Sequence, residues 1–418
     1  MAGEINLNHI CKIEGHAHLT LKIEKNKVSV CELKAAEGAR FFEALVLGKK
    51  IQDIQEIVSR ICGICSCAHS VSSIQALEEA LNIHPSEQQK AIRELLMIGE
   101  RIRSSITHLY FMSLPDYLGY KSALSMSPTH KEKISDALAL ISLGNKIIEA
   151  LGGREMHPFL EINKKLREID KDKLIKEIEN SKKLFIKTIN LFFSLNHPKI
   201  ERNTDYLSLK DKTYAIISGK IKSNSGLIDD NNYKKHLKEN IKEYSTSKFV
   251  LKDEKPFVTG ASARINNNSD QLDIETKKYL RKNKLSQNNP FFNNLAQAIE
   301  LLHLANRAVK LIENLQIEKQ KIQLKIKQGV GVSAVEAPRG TLFHEYKINN
   351  QGVIDYCNII TPTAQNLNSM ELDIKQLANS LLLKNTSKEK IILEIEKLIR
   401  AYDPCFSCST HFLKVKWL

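Results

Sequence analysis

The sequence lacks a hydrophobic stretch long enough to cross a membrane. A membrane-spanning helix needs about 20 consecutive apolar residues, and no run in these 418 residues approaches that length. The first residues, MAGEINLNHICKIEGH, also lack the hydrophobic region of a signal peptide. These absences predict a cytoplasmic protein with no direct membrane insertion, although such a chain can also be exported on a partner's signal.

The cysteine and glycine patterns argue against a disulfide-rich secreted domain and against a dinucleotide-binding site. Eight cysteines in a chain of this length do not make the dense disulfide framework of small secreted domains. No G-x-G-x-x-G dinucleotide fingerprint is present. Four cysteines are dispersed, namely Cys11, Cys31, Cys67 and Cys357. Cys67 closely follows another cysteine, and it is interpreted either as an accessory metal ligand or as a small packing residue.

The positive charge is large but lacks the pattern of a nucleic-acid interface. The net charge is +14, and lysine-rich stretches such as residues 234–242 and 277–284 also contain acids, amides and apolar residues. The chain has no arginine-dense helix and no platform of interleaved aromatic residues. We therefore interpret the lysines as a solvated surface and predict no nucleic-acid partner.

What the sequence does contain is a C-x-x-C pair near each end. Cys62 is paired with Cys65, and Cys405 with Cys408. Two thiolates three residues apart hold a metal ion from one side, and two such pairs make a four-sulfur cage suited to zinc, iron or nickel. On spacing alone a structural zinc site is the leading interpretation. Because the two ends must meet, residues 1–418 are predicted to form a single intertwined domain.

Hydrophobic periodicity predicts a mainly α-helical fold with smaller β regions. Alternation over residues 18–33 predicts an N-terminal β-hairpin. The first cysteine pair is predicted to open a helix over residues 65–81, where free N–H groups favour thiolate. Four long helices are predicted to form a bundle core, over residues 87–112, 131–151, 169–195 and 290–315.

The predicted domain divides into five segments along the chain. They are a β-hairpin with short helices (1–60), a helical core (61–198), a poorly readable insertion of loops or small β structure (199–290), a helix with a strand–turn region and the second cysteine pair (291–411), and a short tail (412–418).

The residues around the two pairs narrow the interpretation. Residues 60–69 (RICGICSCAH) and 403–411 (DPCFSCSTH) resemble the paired signature of the large, catalytic subunit of nickel–iron hydrogenases. Further blocks follow in the order of that family, namely residues 12–16 (KIEGH), 336–344 (EAPRGTLFH), 361–366 (TPTAQN) and, more loosely, 260–266 (GASARIN) and 293–303 (NNLAQAIELLH). The resemblance therefore covers nearly the whole chain and implies that family's fold.

The resemblance implies a nickel–iron centre that cleaves dihydrogen reversibly and heterolytically into protons and electrons. Cys62 and Cys405 are expected to be terminal nickel ligands. Cys65 and Cys408 are expected to bridge nickel to an iron that carries carbonyl and cyanide ligands.

The resemblance also implies roles around the metals. Glu14 resembles the family's proton-transfer glutamate, with a surface residue that caps the hairpin as the alternative. Arg339 resembles the arginine that overhangs the centre and orients ligands or polarises dihydrogen, with a structural salt bridge as the alternative. The other matches are Pro338, Asp116 and Asp403 beside that arginine, Thr363 as a donor to a cyanide ligand, and His69 as a hydrogen-bond partner of a cysteine sulfur.

Three positions match a magnesium (or iron) site of the family. They are the Glu43 carboxylate, the Ile359 carbonyl and His411, and oxygen ligands suit magnesium. A plain helix-surface role for Glu43 is the alternative. The resemblance further implies that a maturation protease removes the tail, residues 412–418 (FLKVKWL), after His411.

Electrons are expected to leave through partner chains, because no further cysteine cluster is present for iron–sulfur clusters. We expect a small subunit carrying iron–sulfur clusters and further electron-transfer subunits that hold any flavin or nicotinamide site. The sequence most resembles soluble cytoplasmic multisubunit enzymes coupled to NAD(P) or sulfur reduction. The alternatives are a heterodisulfide-reductase- or deazaflavin-linked archaeal subunit, a dihydrogen sensor, and a non-redox protein with a structural zinc site.

Overall fold

The computed structural model describes residues 3–38, 40–160, 169–316 and 325–410. The helices are α1 (Phe42–Leu45), α2 (Ile51–Ser59), α3 (Ser66–Leu81), α4 (Glu87–Thr107), α5 (Leu114–Tyr117), α6 (Ala123–Met126), α7 (Lys131–Gly152), α8 (Lys171–Ser194), α9 (Tyr233–His236), α10 (Ala261–Asn268), α11 (Ile274–Lys282), α12 (Phe292–Glu313), α13 (Pro362–Leu383), α14 (Lys388–Ala401) and α15 (Phe406–Ser409).

The strands are short and lie in separate small sheets. They are β1 (Gly3–Leu7), β2 (Ala17–Glu24), β3 (Lys27–Ala35), β4 (Asp205–Tyr206), β5 (Ser208–Lys210), β6 (Lys220–Ser223), β7 (Gly226–Ile228), β8 (Leu237–Ile241), β9 (Lys248–Lys252), β10 (Phe257–Val258), β11 (Gly329–Ala337), β12 (Gly340–Ile348) and β13 (Ile354–Ile360).

The four long helices α4, α7, α8 and α12 form the core, as the periodicity predicted. α4 packs on α7, and α12 packs on both α4 and α8. α4 and α7 cross at two glycines, where a Cβ added to Gly144 would lie 2.6 Å from the Gly99 carbonyl oxygen. Only glycine permits this approach. α4 ends at Thr107, earlier than predicted, and a π-helical turn over His108–Ser113 carries the chain into α5.

α3 connects this bundle to the sheet β11–β12–β13. The helix packs on β11 and β12, and β11 lies so close that a Cβ added to Gly331 would be 2.0 Å from the Ala76 carbonyl oxygen. β12 pairs antiparallel with both neighbours. The contact fixes the helix that follows Cys65 against the strand that leads to Arg339.

The N-terminal sheet and the last two long helices make a second apolar core. The predicted hairpin is β2–β3, and β1 adds a third antiparallel strand against β2. Side chains of this sheet pack with α13 and α14. α13 begins at Pro362, because a proline is compatible with the first helical turn.

The region from 199 to 290, poorly readable from the sequence, is folded into the body of the protein. It contains strands β4–β10 and helices α9–α11. Ala261 and Ile265 of α10 belong to the main core. Within the described ranges, no helix has both the length and the apolar character needed to cross a membrane.

Candidate metal centre

The first cysteine pair occupies the turn between α2 and α3. Cys65 is the residue that caps the N-terminus of α3, and its N–H donates to Cys62 Sγ at 3.4 Å. Both thiols are buried, at 3% and 5% exposure. The predicted helix after the pair is therefore confirmed, and the turn points both sulfurs the same way.

The second pair follows α14. Asp403 adopts a left-handed backbone with φ of 50°, which ends the helix and turns the chain toward the first pair. Cys405 then forms a parallel bridge with Glu14, and Cys408 lies in α15. The N-terminal loop and the C-terminal segment therefore meet as predicted from the chemistry of the pairs.

The four sulfurs form one cluster. Cys62 Sγ lies 3.7 Å from Cys405 Sγ, Cys65 Sγ lies 3.3 Å from Cys408 Sγ, and the two sulfurs of the second pair are 2.9 Å apart. All four lie within 4.8 Å of one another. Disulfide bonds are much shorter, at about 2.05 Å, so the thiols are free to bind metal.

The donor set fits nickel and iron. Four buried sulfurs and no oxygen ligand within the cluster favour a soft transition metal over magnesium or calcium. Hydrogen bonds from Cys405, Cys408 and Cys65 lower the pKa of Cys62 well below its ordinary value. The bond to Cys405, together with burial, raises the pKa of Cys65. Metal binding therefore has to release protons from the cluster.

A cavity of about 270 Å³ adjoins three of the sulfurs. It is lined by Cys65, His69, Ala337, Pro338, Arg339, Leu342, Pro362, Thr363, Cys405 and Cys408. Apolar side chains and the guanidinium of Arg339 share this space. It offers room beside the sulfurs for small ligands on a metal.

Arg339 lines the cavity beside the sulfurs, and Asp403 orients its side chain. Its Nε donates to the Asp403 carbonyl at 2.8 Å and to Asp403 Oδ1 at 3.1 Å. Nη2 is 3.1 Å from the same carboxylate oxygen but lacks hydrogen-bond geometry. Within the described part of the chain, neither Nη1 nor Nη2 has a hydrogen-bond partner. Burial opposes its charge, but Asp403 and Cys405 hold the pKa of Arg339 well above its ordinary value.

Glu14 reaches the second pair from the N-terminal loop. Its backbone accepts from the Phe406 N–H at 2.8 Å, and its side chain accepts from Ser407 Oγ at 3.1 Å. Burial, followed by the nearby Cys405, raises the pKa of Glu14 above its ordinary value. The Glu14 side chain is half-buried and contacts the segment of the second pair through Ser407.

The other predicted residues divide between the cavity wall and its surroundings. Pro338, His69 and Thr363 line the cavity. Thr363 Oγ1 accepts from the Cys405 N–H at 2.8 Å, which leaves its own proton available to donate. His69 Nδ1 lies 3.1 Å from Nε2 of His344. Asp116 is absent from the cavity lining and forms ion pairs with Lys12 and Arg400.

Glu43, one of the predicted magnesium ligands, is paired with the side-chain ammonium of Lys248. Glu43 accepts from Lys248 Nζ at 2.9 and 3.1 Å and from the Ile359 N–H at 2.9 Å. Lys248 also approaches Glu239 at 2.9 Å. Glu43 thus contacts the Ile359 N–H, whereas the predicted ligand at Ile359 is its carbonyl, and His411 lies outside the described residues.

Two residues that hold the first cysteine turn were not predicted from the sequence. Glu100 accepts from the Cys67 and Ala68 N–H groups at 2.6 and 3.1 Å, at the start of α3. Arg103 donates to the Ile64 carbonyl at 2.9 Å. Both lie on the buried face of α4, and a charged residue inside an apolar helix face was the available signal. Cys67 contacts Glu100 instead of the sulfur cluster, which agrees with a packing role.

Replacing Glu100 by glutamine is expected to flatten the pH dependence of stability. Burial raises the pKa of Glu100 to about 7, against about 4.3 in an unfolded chain. The stability linked to this group is therefore complete below the unfolded pKa and is lost as the pH rises through the folded pKa, by about 4 kcal/mol. Glutamine keeps an acceptor oxygen but does not titrate, so unfolding free energy measured between about pH 5 and pH 8 should fall less.

Glu56→Gln serves as the control, because the Glu56 side chain is 70% exposed and its replacement should leave the pH profile unchanged. Equal pH slopes in wild type and Glu100→Gln would contradict the buried-carboxylate interpretation.

Comparison with known proteins gives the family. The sequence profile described as nickel-dependent hydrogenase matches residues 40–173 and 228–411, which include both cysteine pairs. The chain belongs to the nickel-dependent hydrogenase family. It is 35% identical to sulfhydrogenase 1 subunit alpha of Pyrococcus furiosus, over 98% of each chain.

Other similar proteins also align over nearly the whole chain. This chain is 25% identical to the NAD-reducing hydrogenase HoxS subunit beta of Cupriavidus necator, over 99% of this chain and 96% of that one. An NAD⁺-reducing [NiFe]-hydrogenase in the H2-reduced state superposes with a TM-score of 0.88 at 23% identity, covering 98% of this chain and 99% of that one. The structural match confirms the predicted fold. The hydrogenase is thus a large, catalytic subunit that acts on dihydrogen.

Proposed function

We propose that this subunit cleaves dihydrogen at a nickel–iron centre held by Cys62, Cys65, Cys405 and Cys408. The observation that carries the proposal is the cluster of four buried sulfurs within 4.8 Å of one another. Arg339 lines the adjoining cavity, and its Nη1 and Nη2 have no hydrogen-bond partner among the described residues. When bound, the centre supplies the Lewis acidity and redox chemistry that split dihydrogen.

The protein's part in binding the metals is to supply thiolates from two directions. Cys62 and Cys405 are assigned as terminal nickel ligands, and Cys65 and Cys408 as bridging ligands. The two assigned bridging sulfurs lie 3.3 Å apart and both line the cavity, so they would hold an iron and the cavity would offer space for its small ligands. The iron is proposed to carry carbonyl and cyanide ligands in addition to the two bridging sulfurs.

The walls of the cavity suit small diatomic ligands. Pro338 and Leu342 give an apolar surface, and Thr363 has a hydroxyl proton to donate to a cyanide. Arg339 lines the cavity with Nη1 and Nη2, which have no hydrogen-bond partner in the part of the chain that the structure describes, and Asp403 fixes its orientation. His69 completes the wall. Asp116 acts at greater distance, because its partner Arg400 precedes Asp403 and accepts the Asp403 N–H at its carbonyl.

Glu14 is proposed to move the proton away from the cluster. A carboxylate whose pKa is raised by burial and by Cys405 is a better proton acceptor near neutral pH than a solvated one. Ser407 holds the carboxylate at its Oε1. The half-buried position allows the proton to continue outward.

Electrons are proposed to leave through a small subunit with iron–sulfur clusters and further electron-transfer subunits. The hydrogenase has no cysteine cluster for an iron–sulfur centre besides the two pairs within the described ranges. The similarity to a sulfhydrogenase and to an NAD-reducing hydrogenase supports NAD(P) or sulfur as the final acceptor and a cytoplasmic location. Reduction of either by the purified complex with dihydrogen tests this.

Infrared spectroscopy with metal analysis of protein from its native host tests the centre. Carbonyl and cyanide stretching bands, with about one nickel and one iron per chain beyond the clusters of the partners, are expected. Zinc without such bands, in matured material, would overturn the nickel–iron proposal. The same metal analysis tests for the magnesium (or iron) ion proposed near Glu43, the Ile359 carbonyl and His411, which has to displace the Lys248 ammonium from its present ion pair.

A maturation protease is proposed to remove residues 412–418. The active hydrogenase is then expected to have the intact mass of a chain that ends at His411, because cleavage follows metal insertion in the enzymes that it resembles. Mass spectrometry of active and metal-free protein checks this. A full-length mass in the active fraction would rule the processing out.

A further inference from the structure

The backbone that precedes Arg339 is gripped by two fully buried guanidinium groups. Arg101 Nη2 donates to the Glu336 carbonyl and, at 3.3 Å, to the Ala337 carbonyl. Arg264 donates to the Ala337 and Pro338 carbonyls, each at 3.1 Å. Consecutive carbonyls at the end of β11 are therefore fixed immediately before the arginine that overhangs the sulfurs.

The two guanidinium groups are in turn fixed by carboxylates. Glu300 accepts from Arg264 Nε at 2.6 Å and Nη2 at 2.8 Å, and from Arg101 Nη1 at 3.0 Å. Glu336 accepts from Arg264 Nη1 at 3.1 Å. Tyr214 donates a further hydrogen bond to Glu300 at 2.7 Å. The charges of the two arginines and two glutamates cancel, and the exposure of all four side chains is 0%.

Such a cluster needs an explanation other than stability. Burying charged groups carries a large desolvation cost, and well-packed apolar residues often give equal or greater stability. What charged groups offer instead is fixed geometry, because a planar guanidinium with donors at both ends defines the positions of several acceptors. Here those acceptors include three consecutive backbone carbonyls, those of residues 336–338. The donors are Arg101 of α4 and Arg264 of α10, and Glu300 of α12 holds both.

We propose that Arg264 is a positioning residue for Arg339. Through the Ala337 and Pro338 carbonyls, it sets where the Arg339 side chain leaves the backbone and hence where Nη1 and Nη2 point in the cavity. The close approach of Gly260, whose added Cβ would lie 3.2 Å from the Arg339 carbonyl oxygen, limits movement from the other side. The inference rests on the role proposed above for Arg339.

Arg264→Lys is the informative substitution. Lysine keeps the charge but replaces the rigid fork by a single flexible ammonium, which cannot hold Glu300, Glu336 and two carbonyls together. With Arg339 misplaced, kcat for dihydrogen oxidation by the purified complex should fall between about tenfold and about a hundredfold. Nickel content should stay at the wild-type level, and the carbonyl and cyanide infrared bands should shift.

Arg93→Lys is the matched control. Arg93 of α4 forms a buried ion pair with Glu78 of α3, with two contacts of 2.6 Å. Glu78 lies near the end of α3, remote from the sulfur cluster at the start of that helix. Its replacement should lower stability without shifting the infrared bands or kcat. Tyr214→Phe is a milder second variant, which removes one donor to Glu300 and should shift the bands in the same direction but by less.

A double-mutant cycle with Arg339→Lys separates this inference from the proposed function. If Arg264 acts through Arg339, Arg264→Lys should change kcat by less than about twofold in the Arg339→Lys background. Effects that multiply, or unshifted bands and wild-type kcat in Arg264→Lys, would overturn the positioning role alone. Unchanged kcat in nickel-loaded Arg339→Lys would instead overturn the proposed role of Arg339 itself.

Discussion

Replacing Cys405 by serine is expected to leave the hydrogenase without nickel and without measurable dihydrogen turnover. A serine hydroxyl does not ionise near neutral pH and is a harder ligand than a thiolate, so the site loses affinity for a soft metal. The remaining three sulfurs leave the donor set one thiolate short at the position where Cys405 Sγ lies 3.7 Å from Cys62 Sγ and 2.9 Å from Cys408 Sγ. Metal analysis and dihydrogen uptake measure both outcomes on the purified complex.

Two other cysteines provide controls for the loss of a thiol. Cys11 is exposed, and its replacement by serine should change neither nickel content nor turnover. Cys67 is buried beside Glu100, and Cys67→Ala should also retain nickel if this thiol only packs. Nickel at wild-type level in Cys405→Ser would refute its assignment as a ligand, whereas nickel loss in Cys67→Ala would restore the accessory-ligand interpretation.

Replacing Glu14 by glutamine is expected to lower dihydrogen oxidation by about 10²-fold to 10⁴-fold. The amide oxygen of glutamine can still accept the hydrogen bond from Ser407, so the shape of the site is kept, but the amide takes up no proton. Nickel content and the infrared bands should match the wild type, because Glu14 is no metal ligand in this proposal. Turnover and exchange of dihydrogen with deuterated water measure the effect.

The matched control for Glu14 is Glu37. Its carboxylate adds to the raised pKa of Glu14, but it is not among the residues that line the cavity beside the sulfurs. Glu37→Gln should therefore retain nearly full activity. An active Glu14→Gln variant with normal nickel would assign proton transfer to another group.

The sequence was sufficient to predict the parts of the site that depend on local spacing. A C-x-x-C pair defines a tight turn, and the turn at Cys65 opens α3 as predicted. That the two pairs meet followed from chemistry, because a pair holds a metal only from one side. The structure confirms this meeting.

The cluster around Arg264 was beyond prediction for a physical reason. Arg264 lies in α10, an eight-residue helix within a region of strands with two to five residues. Elements this short carry too few residues for hydrophobic periodicity to emerge. Arg101 and Glu300, the other members of the cluster, come from helices distant in the sequence, and the resemblance over residues 260–266 assigns no role to Arg264.

The bridge between Glu14 and Cys405 has a consequence for biosynthesis. Cys62 and Cys405 are separated by 343 positions, and ribosomes add about 5–20 residues per second. Roughly 17–70 seconds therefore pass between synthesis of the first pair and of the second. Throughout this interval the nascent chain has only two of the four cysteines of the cluster. Glu14 also lacks the backbone of Cys405 with which it pairs in the folded protein. The metal centre therefore cannot be completed before the segment that carries the second pair has been synthesised.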